Sequence, residues 1–235
     1  MPILRNMSKY IINTLLLCCF SVTVWAQDSG DSTAKAEVKK IRPGYHQLRL
    51  SINVSSPVVS MILKDRTHYE AGLDYYWKNE VYLALEAGKG GANFDNTDLK
   101  YTATNSFVRI GIDKSMLLRL FPQDWDMVHI GLRYGIAPIT RNAATFTLQD
   151  NFWGTTTGTI PAKKSVAHWA SLGVGTRVEL FRGFFAGYNL RANFLMNPKA
   201  FTELPPNYVA GYGKIEKSTT FDFGVYFSYA LRWKQ

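Results

Sequence analysis

Apolar and polar residues alternate along this chain in eight separate runs. Alternation with a period of two marks an extended strand with two unlike faces. Over residues 45–54, Leu48, Leu50 and Ile52 alternate with Gln47, Arg49 and Ser51. Over 67–78, Tyr69, Ala71, Leu73, Tyr75 and Trp77 oppose His68, Glu70, Gly72 and Asp74. Two further runs, 81–88 and 102–113, set Leu83, Leu85, Val108, Ile110 and Ile112 against Glu86, Arg109, Gly111 and Asp113. The second half is more regular. Residues 128–136, 170–180, 184–196 and 219–235 carry aliphatic or aromatic side chains on one parity. On the other they carry Arg133, Arg177, Glu179, Arg191, Asp222 and Arg232 mixed with glycine.

The links between the runs differ in length. Asn79-Glu80 and Arg182-Gly183 are two-residue turns, whereas the links after the third, fifth and seventh runs extend to a dozen or more residues rich in Gly, Asn, Thr and Pro. Short turns at one end and long loops at the other predict an all-β fold: an eight-stranded antiparallel up-and-down transmembrane barrel. The fourth link, 114–126, breaks the rule. Its Met116, Leu117, Leu118, Leu120, Phe121 and Trp125 predict a short interfacial helix.

Alternation alone does not say which face is inside, and a soluble periplasmic ligand-binding barrel has the same period with its apolar face inward. The content of the polar face discriminates. It carries Arg49, Glu70, Asp74, Glu86, Arg109, Asp113, Arg133, Arg177, Glu179, Arg191, Asp222 and Arg232. A solvated face has little use for the interspersed glycines, which weaken a strand. A narrow lumen needs them where space is short, and needs Arg with carboxylates to satisfy one another where it is not. These twelve are therefore expected to form a polar network filling the lumen. Tyr75, Tyr76, Trp77, Tyr188, Tyr229 and Trp233, near strand ends, suit aromatic girdles at the two interfaces.

The amino terminus sets the compartment. Arg5 and Lys9, an apolar run over 10–20 and Val24-Trp25-Ala26 read as a secretory signal over 1–26. A polar, aperiodic lead-in follows over 27–43, and the barrel occupies 44–235. Cys18 and Cys19 fall inside the leader, and Leu17 stands where lipoprotein processing wants a small residue. The mature chain then has no thiol, and removal of Arg5 and Lys9 leaves 25 basic against 18 acidic residues from the full 27 and 18. In an exported chain that excess favours anionic lipid over nucleic acid as a partner.

Asp222-Phe223-Gly224-Val225-Tyr226-Phe227-Ser228-Tyr229 resembles the terminal-strand signal of outer-membrane barrel proteins: polar, any, Gly, any, any, hydrophobic, any, aromatic. Its marked positions are Asp222, Gly224, Phe227 and Tyr229. From about Tyr45 onward the chain resembles the small bacterial outer-membrane β-barrel class with OmpA- and OmpX-type members, and the uncharacterised outer-membrane families grouped with it. The resemblance implies a Gram-negative outer membrane, outer-membrane lipids and lipopolysaccharide as surroundings, and the barrel insertion machinery as a partner. Many members stop at a final aromatic; here that position is Tyr229 or Trp233.

Candidate chemistry is sparse. Small barrels of this class include lipid A-modifying enzymes that use Ser, His and an acid. His168 and Ser171 lie on opposite faces, whereas His68 and Glu70 share the inward face, with His129 and Ser171 elsewhere in the lumen. The competing expectation is that all of these belong to the interior network. Gly88-Lys89-Gly90-Gly91 lacks the spacing of a phosphate loop and reads as a flexible loop. No spacing predicts a metal site or a cofactor. Eight strands leave no aqueous channel. The remaining functional surface is the loops 141–164 and 197–217, with Phe146, Phe152, Trp153, Phe201, Tyr208 and Tyr212, facing a partner the sequence does not name. The expectation is a non-enzymatic barrel with a structural or loop-mediated binding role.

Overall fold

A computed structural model of the protein describes residues 44–150, 152 and 154–234. The leader with its two cysteines, the lead-in and Trp153 lie outside the described residues. In order, the elements are β1 (Tyr45–Asn53), α1 (Ser55–Ile62), β2 (Arg66–Lys78), β3 (Val81–Asp95), β4 (Leu99–Ser115), β5 (Met127–Arg141), β6 (Ala144–Asp150), β7 (Gly154–Ile160), β8 (Lys163–Phe181), β9 (Phe184–Leu195), a 3-10 turn (Pro198–Phe201) and β10 (Thr219–Lys234).

Eight strands close into a ring. The order is β1-β2-β3-β4-β5-β8-β9-β10 and back to β1, with every neighbour antiparallel. This is the expected eight-stranded up-and-down barrel, in which each strand has a partner on both sides. At one end lie the tight turns. Asn79 and Glu80 both adopt positive φ, 52° and 60°, the handedness a two-residue hairpin requires. Gly183 does the same between β8 and β9 at φ 85°. At the other end lie α1, the β3–β4 tip, β6 with β7, and the long segment before β10.

β5 shows the arrangement of faces most cleanly, alternating buried and exposed from Met127 to Arg141 without a break. Val128, Ile130, Leu132, Tyr134 and Ile136 point outward and are 41–56% exposed. Leu50, Leu85, Ile110, Leu172, Leu190 and Phe227 continue the belt round the ring. At a rise of about 3.3 Å per residue and a tilt of about 40°, nine residues span roughly 20 Å of height, close to the ~25 Å apolar band of membrane barrels. The inward face holds arginines and carboxylates instead. A soluble barrel requires the reverse, so the molecule is a membrane-spanning barrel.

Several sequence expectations need correction. β3 and β4 run on past the apolar belt, so only residues 96–98 link them. Gly88-Lys89-Gly90-Gly91 is laddered strand, not flexible loop. A side chain at Gly88 would collide with the Phe107 ring and the Tyr69 carbonyl. β6 and β7 form a hairpin where a loop was expected, resting on the rim through Leu99 opposite Phe146 and Lys100 opposite Thr145. Its threonines favour extended chain, but with most of both faces in solvent it carries no apolar period.

The link 116–126 is irregular rather than helical. Pro122 disfavours helical geometry at Phe121. Arg119 fastens the segment by donating to both carboxylate oxygens of Glu80, at 2.8 and 3.0 Å, and to the Asp124 carbonyl. Those bonds hold the Arg119 guanidinium above its ordinary pKa against the cost of burial. Met116, Leu118, Leu120 and Phe121 are exposed, while Trp125 turns into the barrel. Tyr76 also lies inside, on the inward parity of β2, and so belongs to no outer girdle.

Candidate functional site

Strand alternation delivers nine of the twelve sequence-predicted charges to the interior: Arg49, Glu70, Asp74, Glu86, Arg109, Asp113, Arg133, Arg177 and Arg191 are all buried. A buried charge without a partner is strongly destabilising, and these pair in two tiers. Nearer the loop end, Arg109 reaches Glu70 at 2.6 Å and Glu86 at 2.8 Å, and Arg191 reaches Glu86 at 3.0 Å and Glu70 at 3.4 Å. Tyr226 adds its hydroxyl to Glu70 at 2.8 Å. Nearer the turns, Arg177 meets Asp74 at 2.7 Å, Arg133 meets Asp113 at 2.8 Å, and Arg49 meets Asp74 at 3.4 Å. Arg133 links the tiers through Glu86 at 3.6 Å.

The other three predicted charges are only partly enclosed. Asp222 accepts from Arg191 at 3.3 Å, and Glu179 accepts from Arg232 at 2.7 Å by the turns. Glycine makes the room. A Cβ at Gly131 would strike the Asp113 carboxylate, and one at Gly135 the Trp169 indole. Gly224 lies against the Tyr226 ring in the same way, while Phe227 and Tyr229 of the terminal-strand pattern point outward.

Apolar clusters stop both mouths of this charged middle. At the turn end Tyr76, Tyr82, Trp125, Met127, Phe185 and Ala230 pack together, with Arg232 stacked over Trp125 and Phe185. At the loop end Phe107, Ile139, Trp169, Phe201, Val209 and Tyr212 do so. Phe201 and Tyr212 were expected on a loop contact surface, but they are folded into the mouth. Of the described members of that aromatic set, Phe152 is fully displayed, at 93% exposure.

His68 and Glu70 do meet, with Nε2 3.3 Å from Oε2. The structure adds Ser56, which sequence reasoning missed, and Tyr208, which it expected on the loop surface. Ser56, in the first turn of α1, places Oγ 3.4 Å from His68 Nδ1, and Tyr208 places its hydroxyl 3.2 Å from the same nitrogen. Burial pushes the Tyr208 phenol up from its ordinary pKa, so its hydroxyl stays neutral and can donate or accept. In the tautomer whose Nδ1 accepts from Ser56 or Tyr208, the proton is on Nε2, toward Glu70. The N–H does not point along the Nε2–Oε2 line, however, and Arg109 holds that same oxygen at 2.6 Å. The helix start was the available signal: Asn53 Oδ1 accepts from the backbone of Ser55 and Ser56, both at 3.1 Å, ahead of Pro57.

His168 and Ser171 stay apart. His168 meets Tyr134 on the outer wall, and Ser171 donates inside to Asn193 at 2.6 Å. His129 lies in the lumen 3.9 Å from Asp113. Among the described residues no group of three or more His, Cys, Asp or Glu could hold a metal ion.

Residues 7–234 match the model of a family described as a domain of unknown function, DUF6048. No curated protein matches the sequence. Among solved structures, the attachment invasion locus protein Ail of Yersinia pestis is similar at 7% identity and a TM-score of 0.41, over 80% of this chain and 99% of that one. The N-terminal β-barrel domain of Pseudomonas aeruginosa OprF is similar at 11% identity and 0.31, over 80% and 98%. Neisserial surface protein A is similar at 9% identity and 0.32, over 81% and 96%.

Proposed function

We propose that this chain, which belongs to the DUF6048 family, is a closed, non-enzymatic barrel of the outer membrane that presents a structured loop end outward. Export uses the leader at 1–26. The insertion machinery reads Asp222, Gly224, Phe227 and Tyr229. The single observation that carries the reading is a lumen occupied along its length: an apolar cluster in each mouth and paired charges between them. Among the described residues, the five arginines of the paired network meet four buried carboxylates and the half-enclosed Asp222, while a sixth buried arginine, Arg141, donates to the Asn142 and Pro161 carbonyls. Such a core holds the wall in shape and leaves no path for ions. What projects is the β6–β7 hairpin with Phe152, a surface for binding on a rigid scaffold. Purified protein in planar lipid bilayers should give no unitary conductance; discrete, reproducible channel openings would overturn the closed-barrel reading.

The succession Ser56, His68, Glu70 favours one second reading, an acyl-ester hydrolase acting on lipid A. Ser56 Oγ would attack the ester carbonyl while His68 takes its proton and passes it to the leaving alkoxide. Water would then release the acyl group as a carboxylate. Arg109 on Glu70 and Tyr208 on His68 Nδ1 weigh against it, since both occupy positions the relay needs. Mass spectrometry of lipid A from cells with and without the gene decides: an acyl pattern that changes with the gene and reverts with His68→Ala or Ser56→Ala establishes the hydrolase.

A further inference from the structure

β1 is the shortest strand of the ring, 9 residues against 13 and 16 in its neighbours β2 and β10. Its ladder with β2 ends at Ile52 opposite Ala71, and with β10 at Asn53 opposite Tyr226. Beyond that level residues 66–70 and 219–225 flank an interval with no strand between them. α1 covers part of it. Val54 N donates to the Val225 carbonyl at 2.9 Å. Ser55 Oγ accepts from Val225 N at 3.1 Å, and Ser60 Oγ accepts from His68 N at 3.2 Å. Serine hydroxyls thus stand in for missing ladder bonds.

The uncovered remainder is a cavity of about 420 Å³ in the barrel wall. Its two sides differ in chemistry. Val59, Phe221 and Phe223 form an exposed apolar side, continuous with the lipid-facing belt. Ser56 and His68, both buried, form a polar floor. Arg66 and Asp222 also line it, but each is already paired, with Asp65 and Arg191. Lys214 and Lys217 lie on the segment that crosses the cavity before β10 and are exposed; neither makes a direct ion pair among the described residues, and Lys214 acts on the Asp65 carboxylate only from a distance.

We propose that this interrupted seam is a lateral binding site for one phosphorylated glycolipid of the outer leaflet. Its phosphate sits between Lys214 and Lys217, and an acyl chain lies along Val59, Phe221 and Phe223. The inference rests on the reading of a barrel in the outer membrane with its loop end outward. A neutral lipid would leave both lysines without a direct ion pair, and free phosphate would leave the apolar side bare. A phosphorylated amphiphile satisfies both at once, with charge-assisted bonds in a partly dry setting.

Native mass spectrometry of the full mature protein released from detergent micelles tests it, with diphosphoryl lipid A, phosphatidylcholine and inorganic phosphate as probes. One equivalent of lipid A should be retained, about tenfold or more tighter than phosphatidylcholine. The pair Lys214→Gln and Lys217→Gln should weaken it by about tenfold. Val59→Trp should displace it by filling the apolar side, with the lysines intact. Equal retention of phosphatidylcholine, retention unchanged in both variants, or displacement by equimolar inorganic phosphate would each overturn the site. All three substitutions are at exposed positions. Heat-modifiable migration on gels reports separately whether the barrel has formed, so loss of the fold and loss of the site are told apart.

Discussion

Glu70 has the most partners in the network, and it shows what a single lumen residue does. Its two oxygens serve Arg109, Arg191 and Tyr226 as well as His68. Glu70→Ala takes a carboxylate from two buried guanidinium groups, which then share only Glu86 and Asp222, at a cost of about 3–5 kcal/mol. The urea midpoint for folding into detergent should fall accordingly. Glu203→Ala, which removes an ion pair with Lys163 out in solvent, should leave that midpoint where it was. The sign of each lumen charge and its inward direction were legible from parity alone. The partners were not, because Arg109 reaches across the ring to Glu70 from a strand two places away, and period-two alternation carries no cross-barrel information. Periodicity missed Ser56 for a related reason: it belongs to an eight-residue helix too short to show a 3.6-residue period, so only Asn53 and Pro57 at the helix start marked it.

At the scale of the element, β8 allows the two faces to be compared within neighbouring residues. Leu172 is half exposed in the belt, and Ser171 is buried against Asn193. Leu172→Arg should cost about 2–4 kcal/mol near the bilayer midplane. Ser171→Ala, which forfeits one buried hydrogen bond, should cost about 1 kcal/mol. Equal sensitivity in a liposome folding assay would contradict a lipid-facing Leu172. All eight ring strands were legible because each must bury one face and show the other to lipid. α1, the β6–β7 hairpin and the link 116–126 were not. The hairpin lies above the belt and needs no apolar face. The link's exposed Leu and Phe imitate an amphipathic helix, although side-chain bonds from Arg119 hold it irregular.

At the scale of the whole molecule, an even ring fixes which ends share a side. Tyr45 pairs with Lys234 in the register of β1 and β10, so both ends of the ring lie with the turns Asn79-Glu80 and Arg182-Gly183. The β6–β7 hairpin is at the opposite end. If the turns face the periplasm, as in barrels of this architecture, a thiol in the hairpin is accessible from outside and a thiol in a turn is not. Thr156 and Arg182 are exposed side chains suited to the test. Gly183 is not, because its φ of 85° would strain any replacement. Both cysteines, Cys18 and Cys19, fall in the leader proposed at 1–26, whose removal would leave no competing thiol. A membrane-impermeant maleimide should therefore label Thr156→Cys in intact cells and reach Arg182→Cys only after the outer membrane is breached. Labelling of Arg182→Cys in intact cells, with Thr156→Cys protected, would invert the topology and place the hairpin and the lateral site on the periplasmic side.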